Sequence, residues 1–215
     1  MRLTQSLAVF ALIGAATVPA LALQETPQLP GQVDASRVTA GTYATDPSHS
    51  LVGWSVDHFG FNDYYGLFGD VEGTLQIDPA DLESAMVDVT IPITSVAVPS
   101  EGLRNHLLRP GKDGGAPDFF GAEPAPARFV STSVDVDADG MGAMITGDLT
   151  MNGMTNEVVL DTDFTGAGTN PMSKAETIGF EATTTIMRSK FGIDYAIPMV
   201  GDEVMLKISV AFEKQ

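Results

Sequence analysis

The chain has 215 residues, 11 Lys+Arg against 28 Asp+Glu for a formal net charge of -17, 44% hydrophobic residues and no cysteine. Disulfide-stapled and thiolate-metal scaffolds are therefore excluded, and so acidic a chain is a poor partner for nucleic acid or an anionic membrane. Its 11 Phe and 10 Met are more than a disordered acidic chain carries and suffice for one domain with a sizeable core.

The N-terminus predicts an export signal over residues 1–22. Met1-Arg2 gives a positive start, Leu7 to Ala16 an apolar run, and Ala20-Leu21-Ala22 a small-residue cleavage pattern. Cleavage near Ala22 would release a periplasmic or secreted protein. The apolar run is too short to stay behind as a membrane span, so no stable membrane insertion is expected. Residues 23–40 mix Pro, Gly, Gln, Thr and Asp without a sustained period and read as a flexible linker. The folded domain is expected over 41–215.

From Gly41 onward the pattern changes to short runs of period two, which predict half-buried strands. Val52, Trp54, Val56 and His58 share one face of the first. Gly69, Val71, Gly73, Leu75 and Ile77 share one face of the second, and Ala85, Val87, Val89, Ile91 and Ile93 one face of the third. Runs at Ala127 to Val136, Met141 to Leu149, Thr155 to Phe164, Thr177 to Met187 and Glu203 to Glu213 bring the count to eight. Asp139-Gly140 and Asn152-Gly153 stand between neighbouring runs as hairpin turns. One short helix is expected from Glu101 to Leu108, capped by Ser100, as an insertion between strands three and four. Parallel pairing would need a crossover helix between strands, so these neighbours are antiparallel.

Eight such strands close into a barrel or split into a sandwich. A closed ring of eight is just wide enough to be filled by its own side chains or to hold one slender ligand. The apolar faces carry Gly69, Gly73, Gly147, Ala85, Ala127, Ala143 and Ala182 beside Phe129, Phe164, Phe180 and Phe212. Small residues mark either free space or bulges and corners, and the sequence leaves a hollow and a filled interior open.

Local signatures of catalysis are weak. His49, His58 and His106 lack the short spacing with which one element presents two metal ligands, so no metal or cofactor is expected. Ser50 follows His49 directly, and adjacent strand residues face opposite ways. Asp161 with Asp163, and Asp135, Asp137 and Asp139, read as solvated strand faces.

The motifs then carry a resemblance. Tyr43-Ala44-Thr45-Asp46-Pro47-Ser48-His49-Ser50, His58, Gly66-Leu67-Phe68 and Gly73 open it. Arg104-Asn105-His106-Leu107, Asp118-Phe119-Phe120 and Phe129-Val130-Ser131-Thr132 continue it. Gly147-Asp148-Leu149-Thr150, Gly179-Phe180 and Arg188-Ser189-Lys190-Phe191-Gly192 close it. In this order the chain resembles the YceI-like family of exported polyisoprenoid-binding proteins, with departures at Asn105, Asn152, Asn156 and Lys190 and an insertion from Pro110 to Pro117.

The resemblance implies an all-β fold: an eight-stranded antiparallel lipocalin-like β-barrel with the short helix inserted between strands three and four. It implies a carrier, not an enzyme, holding a polyisoprenoid, an isoprenoid quinone or a fatty-acid-like lipid. Period-two faces nominate Val52, Trp54, Val56, Val71, Leu75, Val87, Val89, Ile91, Phe129, Phe164, Phe180, Ile186, Leu206 and Ile208 as the apolar lining. His49, His58, Arg104, His106 and Arg188 are the candidates for a polar mouth. The alternative is an enzyme acting on a barrel-bound lipid through His58, His106 and Arg104. Related barrels pair as dimers, which leaves a homodimer open.

Overall fold

The computed structural model describes residues 28–215. The expected signal segment lies outside the described residues. Ten strands form one antiparallel sheet: β1 (Gly41–Thr45), β2 (Leu51–His58), β3 (Asn62–Phe68), β4 (Glu72–Ile77), β5 (Met86–Ile91), β6 (Ala127–Val136), β7 (Gly142–Met151), β8 (Met154–Thr169), β9 (Glu176–Met187) and β10 (Val200–Lys214). The order runs β1-β4-β5-β6-β7-β8-β9-β10, and β10 pairs back to β1. This closes an eight-stranded barrel, and β3, at the end of the β2–β3 hairpin, remains an edge strand.

The long β10 serves two partners in turn. Phe212 to Lys214 pair with β1, while Ser209 back to Val200 pair with β2. Between β1 and β2 the chain turns at Asp46-Pro47, where Asp46 donates its N–H to the Ala211 carbonyl and the next residue has no N–H to give. β2 then folds onto β3 as a hairpin, with Val52 opposite Phe68 and His58 opposite Asn62.

β1 and β3 are two strands more than the periodicity announced. β1 is too short to display a period, and Tyr64-Tyr65-Gly66 in β3 breaks the alternation. The closed ring still numbers eight because β1, not β2, joins β10 to β4.

Turns and bulges set which residues point inward. Between β7 and β8, Asn152 and Gly153 have φ of 51° and 74°, the left-handed pair that a two-residue hairpin needs. A bulge between Ser131 and Ser133 in β6 inverts the alternation, so Phe129 and then Val134 are buried while Ser133 and Asp135 face solvent. A second bulge, between Phe164 and Gly166 in β8, does the same for Ala167.

Helix α1 (Glu101–Leu107) sits between β5 and β6, where the sequence places it. The Ser100 hydroxyl accepts from the Leu103 N–H at 3.2 Å and caps it.

The reading of 23–40 as a flexible linker needs correction over its described part. Gln32 forms an antiparallel bridge with Ala167 of β8, and Arg37 donates to the carbonyls of Pro30 and Ala167 at 3.1 Å each. Gly166 and Gly168 flank the contact, and a β-carbon on Gly168 would run into the Pro30 carbonyl. Backbone can therefore lie directly on backbone, an approach that composition does not reveal.

Among the described residues no helix is long and apolar enough to cross a membrane.

Candidate functional site

Alternation along every strand of a closed barrel sends one set of side chains inward. Here the inward set leaves a cavity of about 920 Å³, near the upper end of the usual size for ligand sites. Its lining extends from His58, His106 and Tyr195 at one end of the barrel to Val38, Pro79 and Met141 at the other.

All fourteen residues nominated for the apolar wall line this cavity: Val52, Trp54, Val56, Val71, Leu75, Val87, Val89, Ile91, Phe129, Phe164, Phe180, Ile186, Leu206 and Ile208. Ala85, Ala127, Ala143 and Ala182 line it as well and supply room. The acids hold to the outer side: Asp161 and Asp163 are exposed while Thr162 between them is buried.

At the end formed by α1 and the segment after β9, an aromatic group surrounds His106. Its ring meets Phe119 edge-on at 5.0 Å and Tyr195 at 5.2 Å. Its Nε2 lies 2.7 Å from Asp118 Oδ2, which also accepts from Arg109 at 2.7 Å. Hydrogen bonding from the Arg109 guanidinium, and then from His106, holds the Asp118 carboxyl below the usual carboxylate range. His58 lies at the same end, its ring edge-on to Phe59 at 4.3 Å.

Arg188 also touches the cavity, yet its hydrogen bonds point elsewhere. It is 5% exposed and donates to four carbonyls: Gly201 at 2.7 Å, Val200 at 2.9 Å, and Ile193 and Tyr195 at 3.0 Å each. Four of its five N–H groups are thus committed to tying the segment after β9 into place. Burial pushes its pKa down from the ordinary arginine value.

Two of the mouth candidates do not reach the cavity. His49 stands on the outer surface, bonded at 2.6 Å to Asp46 in the turn after β1. Arg104 reaches back to the Val96 and Thr94 carbonyls at 3.3 and 3.4 Å and braces the strand-to-helix connection. Neither side chain is directed at the cavity, and motif order alone does not fix a direction.

Other lining residues escaped the sequence reading. Phe119, Phe120 and Tyr195 come from irregular segments without a period, and Thr162 and Thr184 are polar residues on inward faces. Phe119 and Phe120 stood in one of the motifs that carry the family resemblance, so a signal existed without a direction.

The likeness to known proteins follows this architecture. The family model described as YceI-like domain matches residues 43–212. Protein YceI of Escherichia coli is 36% identical over 179 residues, spanning 82% of this chain and 88% of that protein. The crystal structure of a Campylobacter jejuni YceI protein is similar with a TM-score of 0.61 at 30% identity, covering 74% of this chain and 90% of the other. A polyisoprenoid binding domain from Saccharophagus degradans shares the fold with a TM-score of 0.54 at 13% identity, over 80% and 98% of the two chains. The matched stretch takes in every strand of the closed ring, the inserted helix and the aromatic end around His106, and the chain belongs to the YceI-like family.

Proposed function

We propose that the protein is an exported carrier that holds one long-chain apolar lipid inside its barrel. The observation that carries this reading is the 920 Å³ cavity, walled by aliphatic and aromatic side chains along the length of the barrel. Each CH₂ taken from water into such a wall is worth about 0.8 kcal/mol, so a long chain binds through its length. The Saccharophagus degradans domain is described as polyisoprenoid binding, which agrees in chemical class.

The arrangement of polar groups favours binding over turnover. Of the three residues that an enzyme in this barrel would use, Arg104 is turned to backbone carbonyls outside the cavity, and His106 is held by Asp118. His58 packs against Phe59 and Tyr64.

Organic extraction of protein purified from an exporting host, followed by mass spectrometry, is expected to release one class of long-chain lipid in near-stoichiometric amount. Extracts without lipid, together with no uptake of added isoprenoid or fatty acyl chains, would sink the proposal.

A further inference from the structure

The segment before β1 crosses one end of the barrel. Gln32 and Ala167 of β8 exchange two backbone hydrogen bonds, at 3.0 and 2.8 Å, and the chain then enters β1 at Gly41. In the closed ring β9 and β10 stand between β8 and β1, so this strap joins strands that lie almost opposite each other.

The crossing is held at several points. The Asp34 carboxylate accepts from the Ser36 N–H at 3.0 Å and caps a single helical turn over Ala35–Arg37. Arg37 ties that turn to the Pro30 and Ala167 carbonyls. Val38 packs on the buried cluster of Tyr43, Leu75, Ile178 and Phe212. Gly168 lies bare where the Pro30 carbonyl rests on it.

The strap also meets the cavity. Ala35, Ser36 and Val38 are part of its lining, beside Pro79, Leu82 and Met141 from the loops at the same end. His58, His106 and Tyr195 line the opposite end.

Resting on the carrier reading above, we infer that residues 34–38 are the floor of the cavity and set the longest chain that the barrel accepts. While a chain falls short of the floor, each added CH₂ leaves water for an apolar wall and tightens binding. Once its end meets Ala35 and Val38, a further carbon has to fold back against packed walls or lift the strap, and the gain stops.

The purified protein, stripped of lipid, is titrated with two ladders of probes: saturated fatty acids lengthened by two carbons per step, and polyprenols lengthened by one isoprene unit. In either ladder that binds, affinity is expected to rise roughly tenfold per two carbons up to one length and to level off or fall beyond it. The double variant Gly168→Ala/Arg37→Ala drives a β-carbon into the Pro30 carbonyl and removes the clamp, which frees the strap. Its break should move to a longer chain by at least one step. Ala35→Phe, which adds bulk to the floor, should move the break to a shorter chain. Melting temperatures check that both variants fold.

A break that stays at the same length in either folded variant, or a rise without any break in the unaltered protein, would overturn this inference and leave the carrier reading standing. Failure of both ladders to bind would overturn both.

Discussion

The ring of Phe129 lies across Gly147 on the neighbouring strand, its Cε2 2.6 Å from where a β-carbon would stand. The glycine makes no free space here; it makes a seat for an aromatic ring. The volume of the cavity comes instead from places where no neighbour moves in.

Gly147→Ala is therefore expected to overpack the wall and destabilise the barrel by about 1–3 kcal/mol. The measurement is the urea midpoint. Combining it with Phe129→Leu should return part of the loss, because the two substitutions share one contact and cannot be additive.

Ala182 on β9 is buried in the cavity lining. Ala182→Phe should fill the barrel while leaving the sheet intact. The expected result is recovery of extractable lipid reduced at least tenfold, with the melting temperature of the lipid-free protein unchanged or raised. A variant that carries as much lipid as the original would place the ligand elsewhere.

Arg188 is buried and donates to four carbonyls in the segment that returns from β9 to β10. Arg188→Met leaves those acceptors buried and unpaired, at an expected cost of about 3 kcal/mol or more. Arg188→Lys keeps the charge but loses the planar fork and should fall between. Chemical denaturation of the three proteins orders them, and the prediction fails if Met equals Arg.

Asp118 is held below the usual carboxylate range by Arg109 and His106. A carboxyl depressed in the folded state stabilises it above the pKa of the unfolded chain, near pH 4, and that contribution disappears as pH falls through the lower folded value. Asp118→Asn should therefore melt below the original protein at pH 7, and the gap should shrink as the pH drops below about 4. A gap independent of pH over that range would show that the carboxylate charge contributes nothing at this end.

The regular part of this protein was legible because strand chemistry is local. Val87, Val89 and Ile91 announce an inward face by spacing alone, and Asn152-Gly153 announces its hairpin because few other residue pairs accept φ of 51° and 74°. The irregular part was not legible. His106, Asp118 and Tyr195 meet at one end of the barrel from three stretches of chain that carry no period. Arg104, two residues before His106, turns the other way because α1 separates their side chains by about 200° around its axis.

Local sequence was enough for the class of fold, eight of the ten strands, the apolar face of each of those eight and the acidic character of the outside, since propensity, alternation and turn geometry act between near neighbours. The tertiary structure decided that β1 closes the ring, that residues 30–37 lie along β8, and that the barrel is hollow. A void is a property of how far opposite walls stand apart and which side chains cross between them. Gly147 is filled by Phe129 while Ala182 borders open space, and nothing in either residue's sequence neighbourhood distinguishes the two.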